Sequence, residues 1–99
     1  MKTIIAVVIA LLVATPAFAA TVELNFAWDA NTEPDLAGYN VYRISGRTKD
    51  RLNKSPVKEN TFLDEKLLNE RFVAYAVSAV DNAGNESELS QESIVILKE

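Results

Sequence analysis

Four residues set the period of this chain. Val22, Leu24, Phe26 and Trp28 alternate with Thr21, Glu23, Asn25 and Ala27. Successive side chains on an extended strand point to opposite faces, so one face here is apolar and the other mostly polar. A 3.6-residue period would scatter the same four residues around a helix axis. Further strands are predicted over residues 39–45, from 61–64 to near Leu67, over 72–80, and over 94–97. In the longest of these, Val73, Tyr75, Val77 and Ala79 share one face. A short apolar step around Leu52 is expected to pair as an edge strand. Turn formers crowd residues 29–38 and 81–85, where Gly84 is free to take a positive φ. Short strands at this spacing, with polar turns and no helical pattern, predict an all-β antiparallel sandwich.

The N-terminus follows a different rule. Lys2 precedes an unbroken apolar run over residues 4–14, Pro16 interrupts it, and Ala17-Phe18-Ala19 places small residues where a signal peptidase reads. This is a secretory leader layout, with cleavage expected after Ala19. The run of eleven is too short to span a bilayer, which needs about 20 apolar residues. The expected organisation is therefore a cleaved signal peptide over 1–19 and one domain over 20–99. The layout is that of a bacterial export, periplasmic or extracellular, with no membrane span after cleavage.

Composition removes whole classes of chemistry. The chain has no Cys and no His, which excludes a disulfide scaffold, a Cys/His zinc site and His-dependent nucleophilic catalysis within it. A net charge of −4 argues against nucleic-acid binding, which needs phosphate neutralisation. No cofactor and no catalytic residue is assigned.

The residues resemble a fibronectin type III domain in the short form found in exported bacterial proteins. Trp28 stands where that family keeps a core tryptophan on strand B. Pro34-Asp35-Leu36-Ala37-Gly38-Tyr39-Asn40-Val41-Tyr42-Arg43 resembles the turn into strand C. Arg51-Leu52-Asn53, and Thr61-Phe62-Leu63-Asp64 with Leu67, resemble strand C′ and the approach to the E–F corner. Val77-Ser78-Ala79-Val80-Asp81-Asn82-Ala83-Gly84-Asn85-Glu86-Ser87 resembles strand F and the F–G hairpin. The resemblance implies an immunoglobulin-like sandwich. Two departures stand out. Val73 occupies the place of the family's corner tyrosine, and Asn69-Glu70 stands where Pro-Gly is common. Few residues precede Trp28 after cleavage, so strand A is expected to be missing. That leaves strand B, at Val22, Glu23 and Asn25, as an edge open to pairing with another chain or a second copy. Glu23 on its outward face is the opposing, protective feature.

Charge is unevenly laid out. Arg43, Arg47, Lys49, Arg51, Lys54 and Lys58 oppose only Asp50 in the middle of the chain. This basic C–C′ edge is a candidate contact for an acidic surface, or a device against sheet-to-sheet aggregation. Tyr42 and Phe72 lie off the inward faces and are the candidate exposed aromatics. Asp29, Glu33, Asp35, Asp81 and Glu86 gather in two loops expected at one pole. Their spacing fits no EF-hand, their turn roles are the better explanation, and no metal is assigned. Asn53-Lys54-Ser55 and Asn85-Glu86-Ser87 match the glycosylation tripeptide. The expected function is an exported non-catalytic interaction module with an unidentified protein or polysaccharide partner. The alternative is a carbohydrate-associated or matrix spacer protein.

Overall fold

A computed structural model of the chain describes residues 9–14, 21–67 and 72–96. Seven strands occupy them: β1 (Ile9–Ala14), β2 (Thr21–Ala27), β3 (Leu36–Ser45), β4 (Thr48–Arg51), β5 (Thr61–Leu67), β6 (Phe72–Asp81) and β7 (Ser93–Ile96). All pairings between these strands are antiparallel, and no helix occurs among the described residues. One sheet runs β1–β2–β5 and the other β4–β3–β6–β7.

The two sheets share the core that alternation predicts. Leu24, Phe26 and Trp28 come from β2 and its end, Tyr39 and Val41 from β3, and Val73, Tyr75, Val77 and Ala79 from β6. Aromatic packing joins the sheets. The Phe26 and Tyr75 rings lie 4.6 Å apart, and Trp28 meets Tyr39 edge-on at 5.2 Å. Trp28 is buried although its indole N–H has no hydrogen-bond partner.

A polar tie reinforces this apolar contact. Arg43 Nη1 on β3 donates to both Asp64 oxygens on β5, at 3.1 and 2.9 Å. The Tyr75 hydroxyl on β6 donates to Asp64 Oδ2 at 2.5 Å. Burial, reinforced by the Asp64 carboxylate, pushes the Tyr75 phenol up. Tyr75 thus supplies a buried hydroxyl tie two residues beyond Val73. The corner residues Asn69 and Glu70 lie outside the described residues.

The expected absence of a strand before β2 concerned the chain cleaved after Ala19; in the full chain a strand does stand there. Ile9–Ala14, inside the apolar run, pairs with β2 over six residues, with Ile9 opposite Ala27 and Ala14 opposite Val22. An uncharged aliphatic run suits a strand as well as a leader. An uncovered β2 edge would also leave backbone groups unpaired. In the full chain β2 is therefore an interior strand.

The edge strand expected around Leu52 lies slightly earlier, at β4. Leu52 follows it, packs on the core, and donates its N–H to Val41 O at 2.8 Å. The backbones of Tyr39 and Val57 then exchange two hydrogen bonds of 2.8 Å. Gly38 makes this approach possible, because a Cβ there would lie 2.7 Å from Val57 O and 2.9 Å from Pro56 Cβ. Gly84 takes φ +87° in the β6 hairpin, as its turn requires.

Candidate functional site

The outer face of the four-stranded sheet carries the exposed aromatic, charged and apolar groups together. Directly opposed residues of an antiparallel pair share a face. One row runs Lys49–Ile44–Ala74–Ile94 across β4, β3, β6 and β7. The next rows on either side are Arg51–Tyr42–Ala76 and Phe72–Ile96. Phe72, Ile94 and Ile96 are 59%, 67% and 64% exposed, which makes one end of the face an apolar patch.

The other end is polar and organised around Tyr42. Its hydroxyl donates to Glu86 Oε2 at 2.5 Å, and the Ser78 hydroxyl donates to the same oxygen. Lys49 Nζ stands over the Tyr42 ring, 5.4 Å from its centre. Burial alone would raise the Glu86 pKa. The Ser78 and Tyr42 hydrogen bonds outweigh it and hold the carboxyl below its usual range. Burial and then Glu86 raise the Tyr42 phenol. A tyrosine held by Glu86 is thus presented beside two cations.

The sequence-predicted residues divide. Tyr42, Lys49, Arg51 and Phe72 share this face, and Arg47 sits exposed in the β3–β4 turn. Arg43 does not belong with them. It is in phase with Tyr39 and Val41, so it turns inward to Asp64. That parity was readable in the sequence. Val22, Glu23 and Asn25 lie on β2, paired with β1 and β5.

The acidic loops do meet, since Asn82 N–H donates to Asp35 O at 2.9 Å. Their carboxylates are nevertheless occupied locally. Asp81 accepts from the Asn85 amide and from the Asn85 and Ala83 N–H groups, which hold it below its usual pKa. Glu33 accepts from the Asn31 amide. Among the described residues no group of three or more carboxylates is arranged to hold a metal ion.

Two polar residues take roles other than those their sequence positions suggested, as a loop acid and as a glycosylation tripeptide. Glu86 is recruited to the outer face by Ser78 and Tyr42 rather than to the loop pole. Asn53 is buried, with Oδ1 accepting from Val41 N–H at 2.8 Å and Nδ2 donating to Asn40 and Ser55, both at 2.9 Å. Its amide extends the β3 edge beyond β4, which spends the nitrogen a glycan would need.

No family model matches the chain. It is similar to an amylopullulanase of Thermoanaerobacterium saccharolyticum, 41% identical over 74 residues, covering 73% of this chain and 6% of that protein. A second amylopullulanase, from Thermoanaerobacterium thermosulfurigenes, is 39% identical over 59 residues, covering 58% of this chain and 3% of that protein. The chain therefore spans only a small fraction of these relatives' length.

Proposed function

We propose that the chain is an exported, non-catalytic accessory module of fibronectin type III type, associated with carbohydrate. It makes contact through the outer face of its four-stranded sheet. The observation that carries this reading is the Tyr42–Glu86–Ser78 arrangement beside Lys49 and Arg51, which offers an oriented aromatic ring and cations without a cleft. Similarity to a small segment of two carbohydrate-active enzymes supports the carbohydrate association. A non-catalytic role is supported by where the carboxylates are spent. Asp64 serves Arg43 and Tyr75, Asp81 serves its own turn, and Glu86 is held by two hydroxyls.

Affinity electrophoresis of the exported product tests this, in gels containing pullulan, amylopectin or an acidic polysaccharide. Retardation is expected, and Tyr42→Ala abolishes it. If the basic edge contributes, the Arg47→Ser/Lys49→Ser/Arg51→Ser variant and added salt weaken retention by the acidic polymer. Migration unaffected by all three polymers overturns the carbohydrate association.

A further inference from the structure

The outer edge of β2 is a strand-acceptor surface. In the full chain it takes β1 in an unbroken antiparallel register. A cut after Ala19, where the leader layout puts it, removes residues 9–14 and vacates that edge. Backbone N–H and C=O groups along β2 then face water and form a template for another strand. We propose that the processed chain closes this edge with a second copy of itself, β2 pairing antiparallel with β2 about Leu24. The inference rests on the export part of the reading above.

Register and charge favour this occupant. β2 has seven residues, Thr21–Ala27, with Leu24 at the centre. Opposed residues in an antiparallel pair must share a face, so a twofold axis normal to the sheet works only through a residue or a whole number of pleats. An odd-length strand centred on Leu24 meets that condition along its whole length. Leu24 then meets Leu24 of the second copy, in the place where Leu12 stands in the full chain. Glu23, the single charged residue of β2, falls opposite Asn25 of the second copy, so no like charges meet.

The other edges fail the same conditions. β4 and β7 have four residues each, so a twofold pairing that respects the pleat uses at most three of them. β5 has seven, but its centre is Asp64, which would face its own copy as a like charge. Pairing through β2 creates a continuous four-stranded sheet, β5–β2–β2–β5 across the two copies, and leaves the Tyr42 face free.

The test starts from the full coding sequence, expressed with export in a bacterial host. Mass spectrometry of the exported product is expected to give residues 20–99. Light scattering after size exclusion is expected to give twice the monomer mass. Asn25→Glu sets a carboxylate against Glu23 at both ends of the pair and returns a folded monomer, because Asn25 is exposed. Adding Glu23→Lys to that variant restores the dimer. A processed chain that is monomeric at every concentration overturns the inference, as does a dimer indifferent to Asn25→Glu. A product that retains residues 9–14 overturns it together with the export reading. A processed dimer that binds no polysaccharide upholds it and overturns only the carbohydrate association.

Discussion

The two edges of the four-stranded sheet have equal length and opposite chemistry. β4 is Thr-Lys-Asp-Arg and exposed throughout. β7 is Ser-Ile-Val-Ile, and only Val95 packs on the core while Ile94 and Ile96 stay in water. The charged edge must lose hydration before any surface can cover it. The apolar edge gains roughly 25 cal/mol for each Å² that contact removes from water. The charged edge therefore resists covering, whereas the apolar edge keeps side-chain surface in water that any contact would remove. Neighbouring Phe72 widens the apolar side of the face.

Both edges hang on β3 and β6, so the largest effect comes from loosening that centre. Asp64→Ala leaves Arg43 and Tyr75 without their partner and should cost about 3 kcal/mol. Urea denaturation should show the midpoint falling, and Asp64→Asn should lose less. An unchanged midpoint would remove the inter-sheet tie from the account. Gly38→Ala acts on the β4 side alone, where the added Cβ meets Val57 O and Pro56. A cost of about 2 kcal/mol is expected, with hydrogen exchange accelerated first at Tyr39 and Val57.

Acid acts on the Asp81 turn and on Glu86. Asp81 and Glu86 both titrate below their usual range when folded. Their contribution is complete above the unfolded carboxylate range, about pH 4, and is lost as pH falls through the lower folded values. The melting temperature of Asp81→Asn should fall less steeply with acid than that of the unsubstituted chain. Equal slopes would mean that the turn hydrogen bonds do not bias the carboxyl.

The smallest stability changes test the edges directly. Ile94→Lys/Ile96→Lys should shift stability by no more than about 0.5 kcal/mol and reduce binding of an apolar fluorescent dye. Lys49→Ile/Arg51→Ile should do the reverse, raising dye binding and light scattering. If the two exchanges act alike, edge chemistry is not what separates β4 from β7.

Much of this architecture was legible from one dimension. Alternation picked out Leu24, Phe26, Trp28, Val73, Tyr75, Val77 and Ala79 as core, and the turn chemistry of residues 81–85 located the β6 hairpin. The outer face was half legible. Tyr42 and Phe72 were singled out by parity, whereas Arg43 was grouped with them by charge although its parity matched Tyr39 and Val41. Glu86 and Asn53 gave no comparable signal, because each is defined by partners that only the fold brings close.

The N-terminal run shows where the boundary falls. Its uncharged aliphatic composition satisfies a leader and a strand equally well, and periodicity does not choose between them. Only the fold shows that Ile9–Ala14 fits the edge of β2 in register. Residue order was enough to show which face of β2 and of β6 turns inward, because that depends on neighbours one or two positions away, but not that residues 9–14 are extended. Tertiary structure decided which strands meet, which polar groups share a partner and which edge is left to another surface. Those outcomes depend on closing loops between distant segments, where unpaired backbone groups and buried charges must all find partners at once.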